Sequence, residues 1–152
     1  MIVKNVDKLK ELYESDDYLW IEETVKLLKG KRFDELDLEN LIEELEDLGS
    51  EKRYKVESLL QQIIRHLLLL ESWHNEYERN YRHWRSEIFS FRDQLKDRMT
   101  SNFYNYLEEN LATIYRKARK YVQNTSGLDT FPQDCPYKLE QLLDEDWFST
   151  RY

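Results

Sequence analysis

The side chains in this sequence that could act directly in catalysis are Cys135 and His66. Cys135 precedes Pro136, and this pair predicts the start of a helix, where the helix dipole would favour a nucleophilic thiolate. His66 could serve as the general base of such a hydrolytic or redox site, together with an acidic residue. The alternatives are a small buried cysteine and a half-buried histidine that makes one hydrogen bond. We favour these alternatives, so no catalytic residue is assigned and an enzyme is not the expected function.

Arginines and aromatic residues alternate in segment 79–98, which would suit a single-stranded nucleic acid. Guanidinium groups bind phosphates, and aromatic rings stack on bases. The candidate nucleic-acid-binding residues are Arg79, Arg82, Arg85 and Arg92. The same pattern also fits a helix that packs its aromatic side and pairs its arginines with acidic neighbours. Because Tyr81, Trp84 and Phe91 share one helical stripe, we favour packing.

Acidic residues cluster at positions 43–47, but the chain does not show the pattern of a metal centre. A di-metal site in a helical bundle needs paired Glu-x-x-His motifs on facing helices, and the chain has no such pair. His83 and Glu87 stand four residues apart and supply at most two ligands. The acidic cluster is better explained as a solvated helix face. We therefore expect no metal and no cofactor.

The sequence also has no feature of a secreted or membrane protein. Its N-terminal residues lack the apolar core of a secretory signal. The longest apolar run, residues 63–70, is far shorter than the roughly 20 residues that span a bilayer. Cys135 is the single cysteine, so no intrachain disulfide can form. We expect a cytoplasmic protein that does not bind a membrane.

Composition and charge favour one packed domain over residues 1–152. The chain has a net charge of −8 and is 40% hydrophobic. Residues 1–51 carry a net charge of −9, residues 52–120 carry +5, and residues 121–152 carry −4. These segments could neutralise one another, or the basic middle could attract an anionic partner. We favour neutralisation, because the total negative charge opposes a polyanion.

Apolar residues recur at three- and four-residue steps, and no alternating strand pattern appears. The chain has only 3 Gly and 2 Pro, too few for the many tight turns of a β-sandwich. The sequence therefore predicts an all-α antiparallel helical bundle with four main helices. These helices are expected near residues 16–30, 37–72, 81–99 and 101–124. Residues 128–152 are expected to form a packed loop and a short C-terminal helix.

The apolar stripes of the first two predicted helices are expected to face the core. On the first helix the stripe consists of Ile21, Val25 and Leu28 and is extended by Trp20, Thr24 and Leu27. On the second helix it consists of Leu38, Leu41, Ile42, Leu45 and Leu48. Gly49 is interpreted as a tolerated glycine inside one long helix, because the apolar spacing continues across it. A turn is expected at residues 75–80.

Four consecutive leucines lie near the end of the second predicted helix. At about 100° per residue they cover roughly 300° of the helix circumference, so they cannot share one stripe. Either neighbouring helices enclose this end, or a second subunit covers it. The interface candidates are Leu67, Leu68, Leu69, Leu70 and Trp73.

Several stretches match a known bacterial pattern in order along nearly the whole chain. They are DDYLWIEETVKLLKGKRFDELDLENLIEELEDLGSEKR, LLQQIIRHLLLLE, HWRSEIFSFR, YRKARKYV and TSGLDTFPQDCPYKLEQLLDEDW. On these stretches the chain resembles the domain of unknown function 29 family, which is especially common in cyanobacteria. The resemblance implies an all-helical fold. It implies no activity, so no functional residue is carried over.

We expect a small interaction or regulatory module that binds a protein partner or forms a homo-oligomer. The basis is the abundance of Tyr and Trp, the leucine run with several apolar sides, and the lack of a complete catalytic set. Nucleic-acid binding through segment 79–98 is the alternative. An enzyme that uses Cys135 or His66 is the second alternative.

Overall fold

A computed structural model describes residues 2–72 and 74–149, and the side chains of residues 5–72 and 78–149. The described residues form α-helices and one short 3₁₀ helix, and no strand lies among them. The elements are α1 (Ile2–Ser15), α2 (Asp17–Lys29), the 3₁₀ helix (Phe33–Glu35), α3 (Leu38–Ser72), α4 (His74–Arg98), α5 (Ser101–Ser126) and α6 (Leu139–Leu143). The predicted all-α class is confirmed, and α2 to α5 and the short α6 correspond to the predicted helices. α1 has 14 residues, one more than α2, and is additional to the four predicted main helices.

Capping residues set the limits of these helices. The Asp16 carboxylate accepts a hydrogen bond of 3.1 Å from the backbone N–H of Leu19 at the start of α2. The Thr100 hydroxyl accepts one of 3.1 Å from the backbone N–H of Phe103 at the start of α5. Gly127 ends α5 with a φ of 73°, in the left-handed region that glycine adopts without a steric penalty.

Two predictions about helix limits have different outcomes. α3 continues through Gly49, so the prediction of one long helix is confirmed. The predicted turn at residues 75–80 is wrong, because α4 begins at His74 and includes this segment. The segment contains no Gly or Pro, and its polar and aromatic residues are compatible with a helix.

The chain divides into two compact units, Met1–Glu51 and Lys52–Tyr152, with the limit inside α3. The first unit contains α1, α2, the 3₁₀ helix and the start of α3. The second unit contains the rest of α3 with α4, α5 and α6. The prediction of one domain over residues 1–152 stays a prediction.

The second unit has a continuous apolar core. Its largest fully buried aliphatic side chains include Leu60, Ile63, Ile64, Ile88, Leu95, Leu107 and Leu142. The link between α4 and α5 is two residues long, which favours an antiparallel arrangement of these two helices. Phe131, Tyr137 and Leu139 are buried in the same core, so the segment after α5 is part of the packing.

The first unit is organised around one tryptophan. Among its described side chains, the buried ones are Leu9, Trp20, Thr24, Leu36 and Asp37. The indole N–H of Trp20 donates a hydrogen bond of 3.3 Å to the Asp37 carboxylate. The Trp20 ring also meets the Tyr13 ring edge to face, with 5.0 Å between centroids. These contacts join α1, α2 and the residue that precedes α3.

The predicted burial of the apolar stripes in this unit is confirmed for Trp20 and Thr24 and is wrong for most of the other positions. Seven of these side chains are exposed by 40% to 59%, namely Ile21, Val25, Leu28, Leu38, Ile42, Leu45 and Leu48. Helical spacing shows that residues share a face, but it does not show that another element covers that face. The first unit therefore has an open apolar surface.

Candidate protein-interaction site

The open apolar surface of the first unit forms a groove between α2 and the start of α3. The groove has a volume of about 340 Å³. Its aliphatic lining consists of Ile21, Val25 and Leu28 from α2, and Leu41, Leu45 and Leu48 from α3. Trp20 and Thr24 also line it and are themselves buried, so the groove adjoins the interior of the first unit.

The spacing of the lining residues determines the length of the groove. Ile21, Val25 and Leu28 follow steps of four and three residues on α2, and the lining leucines of α3 repeat these steps. Each row therefore follows one helix face for about 10 Å. Two apolar rows of this length suit the apolar side of an α-helix of two to three turns.

The two walls of the groove differ in charge. The α2 wall has no ionisable lining side chain, whereas the α3 wall carries Glu44, Asp47 and Glu51. The phenol O–H of Tyr13 donates a hydrogen bond of 2.6 Å to Glu44. That hydrogen bond and the neighbouring negative charges raise the pKa of Tyr13 to about 12. The α3 wall is therefore a region of negative potential.

Two other hollows are less suited to an apolar segment. One, in the second unit, has a volume of about 380 Å³ and combines Arg85 with Glu145 and Phe148. Another, in the first unit, has a volume of about 300 Å³ and is lined partly by Arg32 and Glu35. Arg32 and Glu35 form an ion pair with each other. The groove between α2 and α3 is more apolar than either hollow.

His66 lies in the second unit in the environment of a packed histidine. Its Nδ1 is 2.7 Å from the carbonyl oxygen of Gln62, one turn earlier in α3. Its ring lies 5.4 Å from the Phe91 ring between centroids. Burial lowers the pKa of His66 below its ordinary value. The surroundings of His66 thus match the half-buried, hydrogen-bonded alternative.

Cys135 does not stand at the start of a helix. α6 begins at Leu139, and the Cys135 Sγ lies 3.5 Å from the carbonyl oxygen of Tyr137. Burial raises the pKa of the Cys135 thiol, which is opposite to the lowering expected from a helix dipole. No hydrogen bond or ion pair joins His66 to Cys135, and the side chains of both are described.

The four candidate arginines do not share one surface. The exposed ones are Arg79, Arg82 and Arg85. The Arg85 guanidinium lies 3.9 Å from the centroid of the Phe148 ring. Arg92 is 4% exposed, and its Nε donates a hydrogen bond of 2.8 Å to the carbonyl oxygen of Leu142. Arg92 therefore holds α6 against α4 and is not placed to contact a phosphate.

The leucine run belongs to the core of the second unit. Leu67, Leu68 and Leu70 are buried, and Leu69 is partly buried against the same core. Enclosure by the chain's own helices therefore accounts for the leucines that point in several directions. The buried leucines offer no surface to a second subunit. Trp73 lies outside the described residues.

Sites for a metal ion or a membrane span are not found in the part of the chain that the structure describes. No three His, Cys, Asp or Glu side chains among these residues are grouped so that they could hold a metal ion. No described helix is both long enough and apolar enough to cross a bilayer.

The groove residues were predicted as core, so the sequence pattern did not identify them as a site. A helical stripe looks the same whether a neighbouring element covers it or not. Charge does not separate the two cases either. Residues 1–51 carry a net charge of −9, and acidic residues accompany the apolar stripe of α3 along positions 43–51. A solvated acidic face accompanies a covered stripe as well as an open one.

Comparison with known proteins identifies the family. The model of the family "Domain of unknown function DUF29" matches residues 12–148. The chain belongs to the DUF29 family. This confirms the resemblance seen in the sequence, and the family name states no activity. No curated protein matches this DUF29 chain.

A solved structure has a similar fold. It is the crystal structure of an alpha-helical protein of unknown function from Rhodospirillum rubrum, with a TM-score of 0.64 and 25% sequence identity. The match covers 89% of this DUF29 chain and 90% of that chain. The similarity supports the all-helical fold across both units.

Proposed function

We propose that this DUF29 protein is an interaction module that binds one α-helix of a partner protein in the groove between α2 and α3. The observation that supports this most directly is the set of exposed aliphatic side chains that line one groove. They are Ile21, Val25, Leu28, Leu45 and Leu48. Single exposed apolar residues are common, but a continuous apolar surface marks an interaction site. The cytoplasmic location expected from the sequence remains part of this proposal.

The apolar lining can supply enough free energy for a reversible complex. Each of the five exposed side chains is about half exposed. Covering such a side chain contributes about 1 kcal/mol before the costs of association are subtracted. The apolar stripe of the partner helix adds a similar amount. A total free energy of this size favours a complex that dissociates and re-forms, as expected for a regulatory module.

A second copy of the chain is a less suitable occupant of the groove. Two copies could meet groove to groove about a two-fold axis that runs across the helices, and Glu44, Asp47 and Glu51 would then face like charges. About an axis that runs along the helices, these carboxylates would face the α2 wall of the other copy, which offers no basic lining residue. If one copy inserted a different surface into the groove of another, its own groove would stay free to bind a third copy. Such head-to-tail contacts produce rings or open polymers.

Selection from a peptide library tests the proposal without knowledge of the natural partner. The probe is a phage-displayed library of 16-residue helical peptides with randomised apolar and flanking positions. We expect enrichment of peptides with apolar residues at three- and four-residue steps. Leu45→Gln combined with Leu48→Gln should weaken a selected peptide about 30-fold, because each substitution removes about 1 kcal/mol of apolar contact.

The matched control is Phe89→Gln, which changes a side chain of similar exposure (53%) in the second unit. It should leave peptide affinity unchanged, and circular dichroism should show that all variants are folded. The proposal is overturned if no peptide is retained, or if the double variant binds as the wild type does. A wild-type dimer by light scattering that the double variant converts to a monomer would show a second copy in the groove, which also contradicts the proposal.

A further inference from the structure

We infer that the partner helix carries Lys or Arg residues along one flank of its apolar stripe, and that this basic flank lies against α3. The inference rests on the proposed function and specifies the partner of the same groove. It follows from the charge difference between the two walls. Apolar contact alone would accept an amphipathic helix of any charge. The acidic wall therefore selects basic partner helices over acidic ones.

The acidic residues of the α3 wall form an ordered row. Glu44, Asp47 and Glu51 follow steps of three and four residues and therefore lie along one side of the helix. The row extends for about 10 Å beside the lining leucines, the same length as the apolar groove. Basic side chains at three- and four-residue steps on a docked helix would meet these carboxylates.

These carboxylates have no ion pair with any residue that the structure describes. In the first unit, the ion pairs among described residues engage other acids, namely Glu23, Glu35 and Glu39. Glu44 accepts a hydrogen bond from Tyr13, which holds it in place without neutralising its charge. Asp47 and Glu51 are exposed. The row therefore has no ion-paired counter-charge among the described residues and is complementary to a cationic flank.

The same charges argue against an anionic surface as the occupant of the groove. The excess of acidic over basic residues in positions 1–51 gives this unit a net charge of −9. Anionic lipid headgroups and nucleic-acid phosphates would both be repelled. A cationic helix would instead be attracted before it docks, which accelerates association at low ionic strength.

The charge inference is tested with a second library in which the apolar stripe is constant. The flanking positions encode Lys, Glu and Gln at equal frequency. We expect Lys to be enriched along one flank and not along the other. The selected Lys peptide should weaken about fivefold for Asp47→Asn combined with Glu51→Gln, and its affinity should fall with added salt.

A matched control separates local contact from net charge. Glu43→Gln combined with Glu46→Gln removes the same number of charges from exposed positions of α3 that do not line the groove. This variant should lose less than half as much affinity as the groove-lining pair. If both variants lost the same affinity, the net charge of the unit would account for the effect. That result would contradict placement of the basic flank against α3.

The outcomes distinguish this inference from the proposed function. Enrichment of apolar-stripe peptides with unbiased or Glu-rich flanks would overturn the charge inference and leave groove binding intact. Loss of binding in the Leu45→Gln and Leu48→Gln variant, with Lys enrichment on one flank, would support both. Failure to retain any peptide from either library would overturn both.

Discussion

α3 carries the same apolar spacing in both units of the molecule, but its side chains have opposite environments. Leu45 and Leu48 in the first unit are 59% and 48% exposed. Leu60 and Ile64 in the second unit are 0% exposed. The second unit surrounds α3 with α4, α5 and the segment after α5, whereas one face stays open in the first unit. Helical periodicity thus identifies a face, and the number of elements around the helix determines its burial.

The largest expected effect compares one leucine from each part of α3. Leu60→Ala should lower the free energy of unfolding by about 3 kcal/mol, because it leaves a cavity in a closed core. Leu45→Ala makes the same chemical change at an exposed position and should cost less than about 0.5 kcal/mol. Urea unfolding followed by circular dichroism measures both. Equal losses would mean that the two parts of α3 are buried alike.

A second effect concerns the polar contacts of the second unit. The Tyr137 O–H donates a hydrogen bond of 2.9 Å to the buried Glu71 carboxylate. Tyr137→Phe removes this donor and should lower the free energy of unfolding by about 2 kcal/mol. The matched control is Tyr121→Phe at a position that is 49% exposed, where we expect a change below about 0.5 kcal/mol. Similar values for both variants in denaturant titrations would contradict the burial of this pair.

The smallest expected effect is a dependence of stability on pH through His66. Burial lowers the pKa of His66, so protons bind the unfolded state more readily than the folded state as pH falls through the ordinary histidine range. Stability should decline from about pH 7.5 to about pH 5.5 by less than about 1 kcal/mol from this residue.

A variant at this histidine isolates that contribution. His66→Gln should flatten the decline, because it removes the titrating ring. The measurement is the urea midpoint across the pH range. A decline that is steeper in His66→Gln than in the wild type would contradict the stated direction.

Most of the fold could be predicted because helix formation depends on local features. Asp16 caps the start of α2, and Gly127, with its positive φ, ends α5. Each residue lies next to the helix end that it determines, so the sequence shows it directly. The long α3 could be predicted across Gly49 because the apolar spacing keeps its phase. The error at residues 75–80 arose because polar and aromatic residues are compatible with both a turn and a helix.

The candidate site could not be predicted in the same way. The leucine run allowed two explanations, and the burial of Leu67 and Leu68 supports enclosure by the chain's own core. The apolar stripe that contains Leu45 and Leu48 indicates burial in the core, and the exposure of both side chains contradicts that prediction. Both outcomes depend on residues distant in the chain, which a local pattern does not contain.

Local chemistry along this chain specifies helices, their caps and the side of each helix that is apolar. These properties follow from interactions between residues within one or two turns of each other. Burial of His66, enclosure of the leucine run and the openness of the groove between α2 and α3 depend on which elements pack together. A helix face becomes core or binding surface according to whether another part of the same chain covers it, and that is a property of the assembled structure.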